Sequence, residues 1–135
     1  MVKKIWSSET EIEDLRHLDI GVMPLLDDPW SWGKCGLKIL QYCGVGVPSV
    51  CTPVGVNRDV VQDGVNGFWA MTHEEWVANL SRLIEDATMR REMGLRAHDV
   101  VKKSFTLEAC APKLLNIFNE LVRPIHRPGD ASITP

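Results

Sequence analysis

The stretch Asp19-Ile-Gly-Val-Met-Pro-Leu25 decides the fold class together with the helix and the strand that follow it. Asp19–Met23 is short, apolar and closed by a proline, as expected for a strand that is buried in a parallel sheet. Gly33–Cys43 then has the apolar spacing of a helix, and Pro48–Thr52 predicts a second buried strand. Because strand, helix and strand succeed one another, this segment predicts a βαβ unit.

The flanking segments extend the alternation. Val2–Trp6 alternates in polarity and predicts a first strand, and Ser8 with Glu11 predicts a capping box for a helix over Glu9–Leu18. After a short helix over Asn57–Gln62 and two turn dipeptides, Phe68–Met71 predicts a fourth strand. Only helices follow: His73–Asp86, Ala87–Lys103 and Leu107–Val122, the last with Pro112 inside and therefore expected to kink or to start later. The predicted class is α/β, a small parallel sheet flanked by helices with a C-terminal run of helices.

Composition and charge exclude several classes of protein. The 135 residues carry a net charge of −3, whereas an electrostatic grip on nucleic acid needs a basic surplus. No run of 18 apolar residues is present, and no apolar region follows the lysines of Met1–Trp6, so neither a membrane span nor a signal peptide is predicted. The four cysteines lack zinc-ligand spacing, and three lie in segments that read as core, which predicts buried free thiols in a reducing cytosol.

The chemistry is expected where the predicted helix begins after the strand and the aromatic loop Leu25–Trp32. Gly33-Lys34-Cys35-Gly36 has little side-chain bulk, so the backbone N–H groups of a helix start there could hold an anion. A lysine in a first helical turn is unfavourable against the helix dipole unless an anion is bound. Lys38 and Gln41 share a face with Lys34. The alternative for this face is an ordinary solvated helix surface.

Four motifs in this order resemble one protein family. They are Asp19–Leu25, Gly33–Tyr42, Gly46-Val-Pro-Ser-Val50 and Gly64-Val-Asn-Gly-Phe68. Together they resemble the C-terminal, nucleotide-sugar-binding domain of GT-B glycosyltransferases, and in particular the retaining transferases of "group 1". The resemblance covers Val2–Val122, nearly the whole predicted ordered chain.

The resemblance implies a partial Rossmann-like donor domain over residues 1–122, with a disordered tail over 123–135. It implies retaining transfer of a hexosyl group from a nucleoside-diphosphate sugar, such as a UDP- or GDP-sugar, without a metal or other cofactor. The front of the donor domain and the acceptor domain are expected to be missing, whether the chain is a fragment of a longer protein or one part of a split protein whose other chain supplies them. The 135 residues alone are therefore expected to be inactive. Work on cell-envelope polysaccharide in the cytoplasm, at the inner membrane face, fits this class of enzyme.

The resemblance also assigns donor-binding roles, to Gly33, Lys34, Cys35, Gly36, Leu37, Lys38, Gln41 and Gly55. The family has a glutamate for the donor sugar where this chain has Gly33, and a glutamate for the ribose where it has Gln41. The carbonyl oxygen of Gln41 can still accept a hydrogen bond from a hydroxyl group. Asp27 or Asp28 would have to replace the first carboxylate, and Asp28 and Lys34 are the only catalytic candidates.

Two further interpretations stay open. A non-catalytic α/β module that binds a nucleotide or a partner chain has the same sequence features, and an unpaired sheet edge would favour homo-oligomers. An unrelated flavodoxin-like binding domain is disfavoured by the Asp-Gly-x-Asn-Gly turn and the trailing helices. Trp30 and Trp32 could stack on a base or a sugar, or could plug the loop against the domain.

Overall fold

The computed structural model describes residues 5–122, and it confirms the α/β class. A three-stranded parallel sheet of order β1-β2-β3 is formed by Gly21–Met23, Ser49–Cys51 and Gly67–Trp69. Seven helices lie among the described residues: α1 Glu11–Arg16, α2 Pro29–Trp32, α3 Leu37–Gly44, α4 Asn57–Val60, α5 His73–Glu85, α6 Ala87–Ser104 and α7 Leu107–Leu121.

Strand β2 is the centre of the sheet, and all three of its residues are buried. Its Val50 pairs with Val22 of β1 on one side and with Phe68 of β3 on the other. Strand β1 is an edge strand of the described sheet, and its Val22 is 46% exposed. The prediction of a strand over Val2–Trp6 is wrong for Ile5 and Trp6, which are exposed and outside any strand, and its remaining residues lie outside the described range.

The core consists of two clusters on the two faces of β2. One packs Ile39 and Cys43 of α3 against Cys51, Val60, Val61 and Ala97. The other joins Val50 and Phe68 to Leu83 of α5 and Met93 of α6. Trp69 and Trp76, which the sequence places in the core, are half-buried and pack against the first and second cluster respectively.

Two predicted helix features differ from the structure. The predicted capping box at Ser8 is wrong. Residues 7–10 form a turn in which the N–H of Thr10 donates to the carbonyl oxygen of Ser7 at 3.2 Å, and α1 begins only at Glu11. Thr10 makes no side-chain cap; its hydroxyl donates to Asp14 Oδ2 at 3.0 Å. Helix α7 begins at Leu107 and runs through Pro112, so it does not start later. The predicted tail, 123–135, lies outside the described residues.

The cysteines are free, but two of the four are buried instead of the predicted three. Burial raises the pKa of Cys43 and of Cys51 to about 12, whereas Cys35 and Cys110 are exposed. We therefore expect iodoacetamide at pH 8 to label Cys35 and Cys110 in the folded chain, and Cys43 and Cys51 only after denaturation. Peptide mass spectrometry measures this pattern, and rapid labelling of Cys51 in the native chain would contradict the packing of β2.

Candidate functional site

A cleft of about 380 Å³ lies at the carboxyl end of β1, beside the start of α3. It is lined by Met23, the last residue of β1, and by residues 33–38. We call it the donor cleft, after the donor-binding role that the sequence analysis predicts for these residues. Open parallel sheets bind ligands at the carboxyl ends of their strands, so the cleft lies where the sequence predicted a site.

Helix α3 begins at Leu37, four residues later than the sequence predicted. Gly33 instead ends α2, and the N–H groups of Gly33 and Lys34 both donate to the carbonyl oxygen of Ser31. These two N–H groups are therefore already used, which corrects the expectation that the whole run from Gly33 presents free donors. The short helix α2 is what the sequence analysis did not predict.

The free donors lie one turn further along the chain. The first hydrogen bond of α3 runs from Leu40 N–H to Gly36 O at 3.1 Å. Within residues 5–122, no hydrogen bond is made by the N–H groups of Leu37, Lys38 and Ile39, as is usual for a first helical turn. Three donors and the positive end of the helix dipole consequently lie at the start of α3.

Gly36 fixes the direction of this helix start. It is the N-cap residue of α3, it is buried, and its φ of 66° is in the left-handed region that glycine adopts without strain. A Cβ at this position would lie 3.2 Å from Val56 Cγ1 and 3.5 Å from Asn57 Oδ1. Asn57 is itself buried and donates to Thr52 O at 2.9 Å. The start of α3 thus packs against the start of α4.

The two lysines of the donor cleft differ in burial. Lys34 is half-buried between α2 and α3, and Lys38 is exposed in the first turn of α3. Leu37 is 57% exposed; it is the first residue of α3 and lines the cleft. Cys35 is also exposed there. The surface of the cleft itself is almost entirely apolar, and residues that carry two cations and free N–H donors contribute to its lining.

Asp28 is the N-cap residue of α2. Its Oδ1 accepts a hydrogen bond from Ser31 N–H at 2.7 Å. This bond, and then the hydroxyl of Ser31, holds the pKa of Asp28 below its usual value, with the charge of Lys34 adding to the effect. Asp28 is therefore a carboxylate at neutral pH, and it holds α2 in place.

Gln41 contacts α1. Its Nε2 donates to Glu11 Oε1 at 2.9 Å, and its Oε1 is buried without a hydrogen-bond partner among the described residues. A buried acceptor without a partner is costly, and such atoms call for an explanation in a folded protein. The oxygen that the sequence analysis assigned to a ribose hydroxyl is thus the one that the fold leaves unpaired.

A second cleft, of about 450 Å³, lies between α2 and α4. Its lining is formed by Asp27, Trp32, Pro53, Val54, Gly55, Arg58 and Asp59. We call it the α2–α4 cleft. Gly55, a predicted donor-binding residue, lines this cleft and is not among the residues lining the donor cleft. Arg58 and Asp59 were missed, although their position just after the buried strand β2 is a signal that could have indicated them.

Gly55 is expected to tolerate no side chain. Its φ is 54°, and a Cβ would lie 2.8 Å from the carbonyl oxygen of Trp32. We expect Gly55→Ala to lower the free energy of unfolding by about 3 kcal/mol, of which roughly 1 comes from the backbone and the rest from the clash.

Gly64→Ala is the matched control for that variant. Gly64 has a φ of 72°, but a Cβ there would meet no atom within 4 Å, so about 1 kcal/mol is expected from the backbone alone. Urea denaturation followed by circular dichroism compares the two variants. Equal losses for Gly55→Ala and Gly64→Ala would show that α2 does not pack on Gly55 as described.

Other kinds of site find no support in residues 5–122. No helix there combines the length and hydropathy needed to cross a bilayer. That part of the chain also contains no group of three or more His, Cys, Asp or Glu side chains placed to share a metal ion.

Comparison with known proteins decides the family. The family model described as "Glycosyl transferases group 1" matches residues 8–86, more than half of the 135 residues. The chain belongs to this family. The match spans the donor cleft and the α2–α4 cleft, so both are parts of a group 1 glycosyltransferase domain.

Similar proteins agree with this assignment. N-acetyl-alpha-D-glucosaminyl L-malate synthase of Bacillus anthracis is 30% identical over 104 residues, which are 76% of this chain and 26% of that protein. The crystal structure of the C-terminal domain of a group 1 glycosyl transferase, LpcC of Francisella tularensis, has a TM-score of 0.64 at 20% identity, covering 78% of this chain and 53% of that chain. Anabaena HepE in complex with UDP and glucose has a TM-score of 0.69 at 18% identity, covering 80% and 29% respectively.

The solved structures establish the fold of the chain, and the curated relatives show how much of a whole enzyme it spans. The predicted GT-B C-terminal fold is confirmed for this chain. The chain spans about a quarter of the length of the curated relatives it matches.

Proposed function

We propose that this group 1 glycosyltransferase chain is the donor-binding part of a retaining enzyme that takes a nucleoside-diphosphate sugar. The observation that carries the proposal is the start of α3, where Leu37 and Lys38, whose N–H groups are free, line one cleft together with Lys34. Helix starts of this kind hold phosphate groups through hydrogen bonds and the helix dipole. The family membership supports the same donor class.

In this proposal the diphosphate is both the anchor and the leaving group. Negative charge develops on it as the bond to the sugar breaks, and donors already in place stabilise that charge without rearranging. Lys34 and Lys38 supply the positive charge, so neither a metal nor an organic cofactor is part of the proposal. The proposal also assigns a ribose hydroxyl to Gln41 Oε1, a buried oxygen outside the lining of the donor cleft that has to become accessible when the nucleotide binds.

The rest of the enzyme follows from the same proposal. Because the chain spans about a quarter of its curated relatives, the acceptor-binding half is supplied by sequence beyond these 135 residues or by a second chain. The 135 residues alone are expected to turn over no sugar donor. We place the enzyme in the cytoplasm at the inner membrane face, in synthesis of cell-envelope polysaccharide. The exposed edge at Val22 could also pair with a second copy of the chain.

A non-catalytic nucleotide-binding module is the second candidate, and specific residues favour it. Gly33 has no side chain where the family's first carboxylate would stand, and Asp28 already caps α2. An assay for transfer or hydrolysis of a UDP- or GDP-sugar, made with the longest version of the protein, distinguishes the enzyme from the non-catalytic module. Turnover supports the enzyme, and donor binding without turnover supports the module.

Thermal unfolding tests donor binding. If UDP binds with a dissociation constant near 1 mM, 10 mM UDP should add about 1.4 kcal/mol of stability, which raises Tm by roughly 5 °C in a domain of this size. Uridine is the matched control, because it lacks the diphosphate and should leave Tm unchanged. Equal shifts with uridine and UDP would contradict binding through the start of α3.

A further inference from the structure

The α2–α4 cleft has the chemistry of a second binding site. Its volume of about 450 Å³ lies within the range of roughly 300–1,000 Å³ that small-molecule sites occupy. The residues at its rim are an aromatic ring, two carboxylates and a guanidinium group: Trp32, Asp27, Asp59 and Arg58. The donor cleft does not use any of these side chains.

Trp32 presents an exposed ring that is nevertheless held in position. Its side chain is 57% exposed, and its indole N–H donates to Asp27 Oδ1 at 2.6 Å. The carbonyl oxygen of the same residue packs against Gly55 across the cleft floor, which fixes the backbone. A fixed, exposed aromatic ring loses little conformational entropy when a flat apolar surface packs on it.

Arg58 is also oriented before any ligand binds. The guanidinium Nε of Arg58 donates to the carbonyl oxygen of Pro53, and the described residues offer no hydrogen bond to its two terminal amino groups. Asp59 lies beside it in the first turn of α4. A carboxylate and a guanidinium that line one cleft can accept from and donate to the hydroxyl groups of a bound ligand.

Charge excludes a second anion from this cleft. Asp27 and Asp59 outweigh Arg58 by one negative charge, whereas Lys34 and Lys38 make the donor cleft positive. A phosphate or carboxylate would be repelled, and a neutral ligand rich in hydroxyl groups would not. A pyranose ring has this chemistry, because one face carries C–H groups that pack on an indole and its edge carries hydroxyl groups.

We propose that the α2–α4 cleft is a pyranose-binding subsite that takes a sugar carrying no nucleotide. The ring stacks on Trp32, and its hydroxyl groups hydrogen-bond to Asp59 and to the amino groups of Arg58. Trp32 and Gly33 are consecutive, so this subsite neighbours the donor cleft. The proposal goes beyond donor binding, and it stands whether or not the donor cleft takes a nucleotide sugar.

Titration with methyl β-D-glucopyranoside, followed by ¹H–¹⁵N NMR, tests the subsite. We expect saturable shifts of the Trp32 indole N–H and of the Gly55 and Asp59 amides, with a dissociation constant of roughly 1–10 mM. The Trp32→Ala variant has no indole signal, so its binding is followed at the Gly55 and Asp59 amides. We expect its affinity for the glucoside to be at least about tenfold weaker. Asp59→Asn, which keeps the shape, should weaken it less, by about threefold.

Trp30→Ala is the matched control, because Trp30 lies on the same helix, is 80% exposed and does not line the cleft. It should bind the glucoside as the parent chain does. Absence of shifts at Gly55 and Asp59 up to about 100 mM glucoside, or equal losses for Trp30→Ala and Trp32→Ala, would overturn the proposal. UDP in the same samples reports on the donor cleft separately, through the Leu37 and Lys38 amides, so failure of one site is distinguishable from failure of the other.

Discussion

Gly94→Ala is expected to lower the free energy of unfolding by about 4 kcal/mol, the largest loss that we expect from any single methyl group here. A Cβ at Gly94 would lie 2.0 Å from the carbonyl oxygen of Gly46 and 3.2 Å from Pro48 Cδ. Alanine gains only about 1 kcal/mol over glycine in a helix interior, which is too little to offset the separation of α6 from the backbone that leads into β2. Urea denaturation at 25 °C measures the loss.

Gly44→Ala is the control for this prediction. Gly44 is also helical, but the nearest atom to a Cβ there is Val101 Cγ1 at 4.0 Å, an ordinary contact. Stability should therefore stay unchanged or rise by up to about 1 kcal/mol. A Gly94→Ala chain as stable as Gly44→Ala would contradict the close packing of α6 on the loop before β2.

Lys34→Glu is expected to weaken UDP binding by about 100-fold, equivalent to roughly 2.7 kcal/mol. Lys34 is half-buried in the donor cleft, so the change removes a cation and places a carboxylate beside the diphosphate. The new carboxylate also faces the negative charge of Asp28, which Lys34 now offsets. Amide titration by ¹H–¹⁵N NMR measures the effect as the loss of saturable shifts at UDP concentrations that saturate the parent chain, and circular dichroism establishes that the variant is folded.

Lys102→Glu makes the same charge change on a different face. Lys102 is exposed in the last turn of α6 and does not line the donor cleft, so UDP binding should be unchanged within about twofold. A similar loss in both variants would mean that net charge, and not the position of Lys34, controls binding.

The sheet could be predicted from the sequence because its strands carry their own signals. Asp19–Met23 and Pro48–Thr52 are short apolar runs next to prolines, and they contain β1 and β2. Thr72 likewise marks the start of α5, where its hydroxyl and the Glu75 side chain form a full capping box. In each case the deciding groups lie within a few residues of one another.

The start of α3 was mispredicted because a local signal of a very short helix was overlooked. Asp28 at the N-cap and Pro29 in the first turn indicate a helix, and α2 ends only four residues later, at Gly33. That helix uses the N–H groups of Gly33 and Lys34 and moves the free donors to Leu37 and beyond.

Other features of the candidate site depend on contacts between distant residues, which no local pattern contains. Gln41 meets Glu11 thirty positions away, and Gly36 needs its left-handed backbone because α4 lies against it. Trp32 packs on Gly55 for the same kind of reason. The residue types in the sequence were therefore enough to predict the donor cleft. Only the fold shows that Gly55 lines a different cleft, the one between α2 and α4.

Backbone amide titration by ¹H–¹⁵N NMR with UDP tests donor binding at the start of α3 most directly. The account predicts that the amides of Gly36, Leu37, Lys38 and Ile39 shift first and saturate together, with an affinity near 1 mM. Inorganic pyrophosphate should shift the same four amides but leave the Gln41 side-chain amide unmoved, whereas UDP should move both. Shifts confined to α6 or α7, with the Leu37–Ile39 amides unchanged, would contradict it.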